Sequence, residues 1–124
     1  MTDVSTPKRM GEAEPEEVFE LMADEYAREI LALTSQQAMS ARDLVEKCDA
    51  SERTIYRRLD QLQSLGVVTD AMQLDPAGHH RTVYEAVLET VRVDLNDGQY
   101  DVRIQLKEDT ADRFARMWRD IRDE

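Results

Sequence analysis

The chain is poor in the residues that build covalent or metal-centred chemistry. A single cysteine, Cys48, stands among 124 residues, which excludes an internal disulfide and a thiolate cluster. The four glycines (Gly11, Gly66, Gly78 and Gly98) stand singly, so there is no glycine-rich loop to cradle a phosphate. Only two histidines are present, adjacent at His79 and His80, and their side chains diverge unless a loop turns them together. Lysine is scarce too, at 3 against 13 arginines. No run approaches the ~20 apolar residues of a membrane-spanning helix. No apolar segment follows the first residues, so the expectation is a soluble, cytoplasmic chain without membrane contact.

Acid is what the chain has in excess. Asp and Glu number 27 against 16 basic residues, a net charge of −11, while 41% of residues are hydrophobic. That content supports a core, and the length fits one domain burying roughly two-thirds of its unfolded surface. Surplus carboxylate keeps a small surface hydrated and self-repelling. Molar salt shortens the reach of that repulsion to about 3 Å. The composition therefore suits a salt-rich cytoplasm, with arginine replacing the more strongly hydrated lysine. An ordinary acidic bacterial protein is the other reading.

Residues 1–13 lack periodicity and read as a tail. Pro15, Glu16 and Glu17 suit a helix start, and Val18, Leu21, Met22, Ala27, Ile30, Leu31 and Leu33 form one stripe of a helix to about Ser35. A second helix opens at Ser40 with Asp43 in capping-box register and carries Leu44, Val45 and Cys48. After the break Asp49-Ala50-Ser51, Ser51 caps a third helix whose inner stripe is Ile55, Leu59, Leu62 and Leu65, ended by Gly66. The period then falls to two. Residues 67–74 and 81–88 read as strands joined by Asp75-Pro76-Ala77-Gly78. A second hairpin follows, Val91, Val93 and Leu95 turning through Asn96-Asp97-Gly98 into Tyr100, Val102, Ile104 and Leu106. Its apolar face needs a cover, and a last helix from about Asp109 to Arg122, with Phe114, Met117, Trp118 and Ile121 on one side, is the candidate. The expected fold is α+β, mainly α: a tail over 1–13, a first unit over 14–88, and a second hairpin with C-terminal helix over 89–124.

Function is concentrated on the third helix. With Ile55, Leu59 and Leu62 inward, the 100° step turns Arg53, Tyr56, Arg57 and Asp60 outward. Arg53 and Arg57 are one turn apart, a pair suited to guanine edges or phosphates in a major groove that admits one helix. Tyr56 can meet a phosphate or a thymine methyl, and Ser51 and Thr54 occupy the first turn, where hydroxyls meet backbone oxygens. Residues 51–58 hold Arg53, Arg57 and Arg58 against Glu52, a local excess of +2 in an acidic chain. Arg42 and Lys47 on the second helix and His79, His80 and Arg81 at the hairpin tip extend this basic patch. The plain alternative is an arginine-bearing face paired with nearby carboxylates.

Two short helices, a tight break and a hairpin after the closing glycine form the layout of a winged helix-turn-helix. Met39 to Val68, MSARDLVEKCDASERTIYRRLDQLQSLGVV, resembles the winged helix-turn-helix transcriptional regulators, particularly the arsenic-repressor-like (ArsR-like) group. The acidic, arginine-rich character and the run from Ala23 to Leu31 (ADEYAREIL) look like a haloarchaeal member. The resemblance implies base reading by Arg53, Tyr56 and Arg57, phosphate contacts from Ser51 and Thr54, and wing contacts from His80 and Arg81. The hairpin from Val91 to Leu106 departs from the minimal family pattern.

Metal-sensing members need paired thiolates or His and carboxylates on a late helix. This chain offers Cys48 alone, on an apolar stripe, and no His on its last helix, so no metal or other cofactor is expected. No pairing of residues suggests an enzyme, and no effector is indicated. The expected activity is sequence-specific binding of double-stranded DNA by a homodimer, whose two copies read half-sites about 34 Å apart. Candidate dimer residues are Leu21, Tyr26 and Ile30 on the first helix with Phe114, Trp118 and Ile121 on the last. Alternatively, the last helix covers the second hairpin of its own chain. The second functional reading is a winged-helix module that binds another protein within a larger complex.

Overall fold

A computed structural model describes residues 10–108. Within them the order is β1 (Met10–Ala13), α1 (Pro15–Ala23), α2 (Glu25–Gln36), α3 (Ala41–Cys48), α4 (Glu52–Leu65), β2 (Val68–Leu74), β3 (His80–Ala86), β4 (Leu88–Asn96) and β5 (Gln99–Leu106). This is a small α+β fold with a two-stranded antiparallel sheet, β2–β3, and a three-stranded one in the order β1-β5-β4.

The helix expected from Pro15 to Ser35 is two helices. Asp24 is extended (φ −87°, ψ 123°); its N–H donates to the Leu21 carbonyl at 3.1 Å, closing α1, and its Oδ2 accepts from the Ala27 N–H at 2.8 Å, capping α2. A carboxylate at this position satisfies one of the free N–H groups of the new helix. The tail also ends earlier than expected. Residues 10–13 form β1, with Ala13 opposite Val102 and Met10 opposite Gln105.

The other boundaries follow local chemistry. Ser40 and Asp43 close a reciprocal capping box at 3.1 and 3.3 Å. Gly66, at φ 85°, ends α4 while the Val67 N–H reaches back to the Leu62 carbonyl at 3.1 Å, a turn that left-handed backbone makes available. The Asp97-Gly98 turn has both residues at positive φ, which matches the twist of the strands it joins. Between α2 and α3, Met39 exchanges two backbone hydrogen bonds with Tyr84, at 3.0 and 2.7 Å, and so ties the helices to β3.

One core serves both sheets. Val18, Leu21, Ile30, Leu44, Ile55, Leu59, Leu62 and Val67 are buried together with Val102 and Ile104 of β5. Each such side chain is worth about 1.5–3 kcal/mol of transfer free energy. Thr34 is buried among them and its hydroxyl donates to the Ile30 carbonyl at 2.7 Å. Helix α1 packs on β5 and so covers part of the β4–β5 hairpin, the element for which the last helix is the sequence's candidate cover. That last helix, with Phe114, Trp118 and Ile121, lies outside the described residues. Leu21 and Ile30, expected at a dimer interface, are 5% and 0% exposed within their own chain, and Tyr26 is half-buried against the same core. Their stripe is used up in holding α1 and α2 onto α4 and β5.

Candidate nucleic-acid interface

Helix α4 begins at Ser51, whose Oγ accepts from the Thr54 N–H at 3.1 Å and whose hydroxyl donates to Thr54 Oγ1 at 3.0 Å. Ile55, Leu59 and Leu62 face the core. Arg53, Tyr56, Arg57 and Asp60 are exposed, on the side that the sequence spacing predicts. Among the described residues neither Arg53 nor Arg57 makes a hydrogen bond or an ion pair. Side chains one helical turn apart stand about 5–6 Å from each other at Cβ. The two guanidinium groups therefore stand close together without a protein partner among the described residues, and Tyr56 is exposed on the same side of the helix.

Arg58 is different. Its Nε donates to Asp24 Oδ2 at 2.8 Å and its Nη1 to Gln61 Oε1 at 3.4 Å, so it points at the α1–α2 junction. The Arg58 guanidinium holds the Asp24 carboxyl below its ordinary range, against the opposing effect of burial, and Asp24 in turn raises Arg58. Arg58, expected in the basic patch, anchors α4 to the α1–α2 junction and is held by a carboxylate. Arg81 is tied as well: its Nε donates to Gln73 Oε1 at 3.1 Å across the hairpin, and its Nη1 lies 3.7 Å from Asp43 Oδ2. His80 and His79 are exposed at the tip, with His79 Nδ1 3.8 Å from Asp75 Oδ2. Arg42 and Lys47 on α3 are exposed and, among the described residues, unpartnered.

The charge on α4 is graded along its length. The positive residues Arg53 and Arg57 occupy the first half. Asp60 follows, and Tyr84, buried behind it, has its hydroxyl pKa raised first by burial and then by the nearby Tyr56, Asp70 and Asp60. Glu17, Glu20, Asp24 and Asp60 line a cleft between α1 and α4 together with Arg58, and the surplus of negative charge there disfavours phosphate. The N-terminal half of α4 is thus the part that carries its unpaired positive charge among the described residues. The ties of Arg58 to Asp24 and of Arg81 to Asp43 and Gln73 join different elements, so no local pattern in the sequence announces them.

Cys48 is buried at the end of α3, and burial, with the Glu29 charge, pushes its thiol up to about 11. It is a neutral core group at ordinary pH. Among the described residues no three His, Cys, Asp or Glu side chains converge to hold a metal, and no helix is long and apolar enough to cross a membrane. Neither a protein-family model nor a curated protein matches the chain.

Proposed function

We propose that the chain is a winged helix-turn-helix regulator that binds double-stranded DNA sequence-specifically as a homodimer, with the N-terminal half of α4 in the major groove. The β2–β3 hairpin is its wing, and the chemistry requires no cofactor and no enzymatic step. The observation that carries the reading is the Arg53–Arg57 pair, exposed and without a carboxylate partner among the described residues in a chain at −11. A merely solvated arginine face in such a chain would be expected to collect carboxylates, as Arg58 and Arg81 do. The free N-terminal half of α4, Tyr56 beside the pair and the nearby unpartnered Arg42 and Lys47 support the same orientation.

The test is fluorescence anisotropy with a duplex taken from upstream of the protein's own coding sequence, against a scrambled duplex of equal length. Each bidentate arginine contact discriminates by about 1–3 kcal/mol. The double variant Arg53→Ala with Arg57→Ala is expected to weaken specific binding by at least about thirtyfold, by the same arithmetic, with an unchanged melting temperature. Equal affinity of the wild type for both duplexes, or an unaffected double variant, would overturn the reading. Met72 and Leu74, 65% and 62% exposed on β2, favour the second reading of a protein-docking module. On that reading the double variant still captures its protein partner.

A further inference from the structure

Strand β4 forms one side of the three-stranded sheet, and among the described residues its outer edge has no neighbour. Exposed edges are normally blunted by short length, proline, charged side chains or bulges, because their free N–H and C=O groups recruit other strands. β4 is nine residues long, its one irregularity lies at the Leu88/Thr90 end, and Val93 and Leu95 on it are 46% and 60% exposed. Leu95 stands opposite Tyr100, itself 54% exposed and in edge-to-face contact with Phe19 at 5.8 Å.

We propose that β4 is the surface on which a second copy of this chain docks, strand against antiparallel strand, with Val93 on the twofold axis. The argument is charge and pattern complementarity. Residues 90–96 read Thr-Val-Arg-Val-Asp-Leu-Asn. Reversed about Val93, Arg92 faces the partner's Asp94, Val91 faces the partner's Leu95, and Thr90 faces the partner's Asn96. Within one chain Arg92 Nε already donates to Asp94 Oδ2 at 3.0 Å, so the two share a face. Across the axis, two arginines and two aspartates then alternate on that face, while Val91, Val93, Leu95 and Tyr100 continue the apolar strip on the other.

Other registers fail. Centring the pair on Arg92 or on Asp94 sets like charges opposite one another across the axis, on top of the Arg92–Arg103 and Asp94–Asp101 pairs that β4 already makes with β5, which destabilises a sheet. A slip that sets Arg92 against the partner's Val93 joins the charged face of one strand to the apolar face of the other. By contrast, no residue of β2 gives a matched reversal: about Ala71, Asp70 meets the partner's Met72. The pairing joins the two sheets into one of six strands, in the order β1-β5-β4 and its mirror. It deepens the dimeric part of the proposed function, on which it rests, and uses none of the residues assigned to DNA contact.

Sedimentation velocity tests it, in about 0.15 M KCl, where exposed charges more than about 8 Å apart are screened. The wild type is expected to dimerise. Arg92→Asp sets carboxylate against carboxylate and Asp94→Arg sets guanidinium against guanidinium, twice in each dimer by symmetry. Each variant alone should weaken dimerisation at least about fivefold. Mixed in equal amounts, the two should recover it as a heterodimer, a rescue that an effect within one chain cannot produce. A wild type that stays monomeric at every concentration would overturn the proposal, the edge then being covered by residues 109–124 or by another protein. A dimer insensitive to both variants would overturn it as well. Arg53→Ala with Arg57→Ala should leave the mass unchanged, so failure of DNA binding and failure of this interface are scored separately.

Discussion

Arg57 and Arg58 are neighbours on α4, yet the first is exposed and unpaired among the described residues, while the second, 22% exposed, donates to Asp24 at 2.8 Å. A 100° turn of the helix separates a side chain facing solvent from one facing the α1–α2 junction. The same division holds on the hairpin and α3, where Arg81 is tied to Asp43 and Gln73 while Arg42 is free among the described residues. An acidic chain thus uses some of its arginines to hold elements together and leaves others without a counter-charge. Residue type does not distinguish the two uses; the presence of a carboxylate within reach does.

The largest test of this division is on the face of α4 that binds neither. Leu59 is 1% exposed between α1–α2 and the sheets. Leu59→Ala is expected to cost about 2–5 kcal/mol in urea or thermal unfolding, since the lost contacts leave a cavity. Arg53→Ala and Arg57→Ala, on the opposite side, should move stability by less than about 0.5 kcal/mol. Comparable losses on the two sides would mean that the outward face is also structural.

What was legible in the sequence follows the same line between local and remote causes. Helices α3 and α4 were placed by Ser40 with Asp43, Ser51 and Gly66, whose hydrogen bonds are made within one turn. The outward side of α4 followed from Ile55, Leu59 and Leu62 alone. The break at Asp24 stayed hidden because Leu21, Met22, Ala27 and Ile30 keep an apolar spacing across it. The signal that could have found it is an Asp at a cap position with Glu25 in the first turn that follows. Strand β1 and the Met39–Tyr84 bridge depend on partners more than 40 residues away by simple numbering, and four residues carry too little pattern to announce a strand. The anchoring of Arg58 by Asp24, |i−j| = 34, is remote in the same sense.

A smaller effect isolates the anchoring pair. Asp24→Asn keeps an N-cap side chain but removes the charge opposite Arg58, and should cost about 1 kcal/mol at neutral pH, a charged hydrogen bond discounted for partial exposure. The folded-state pKa of Asp24 is lowered from 3.8, so its contribution is fully present above the ordinary carboxylate range and is lost as pH falls through the lowered value. Below about pH 4, the ordinary value for a free aspartate, the wild type should therefore shed the advantage it holds over Asp24→Asn. Unfolding curves taken from neutral pH down into that range measure the difference. An advantage that persists unchanged into strong acid would show that the pair does not hold α4.

The smallest expected change separates free from tied arginines by the ions they displace. A basic group that neutralises one phosphate adds about 0.9 to the slope of log K against log salt. Arg42, exposed and unpartnered among the described residues, should make such a contact without reading a base. Arg42→Gln is then expected to make the slope shallower by about 0.9, equally on specific and scrambled duplexes. Arg58→Gln, which removes a charge already held by Asp24, should leave the slope where it was and appear only in the melting temperature. Anisotropy titrations across a salt series decide between them. If both substitutions shift the slope alike, Asp24 releases Arg58 on binding, and the division between anchoring and contacting arginines holds only for the free protein.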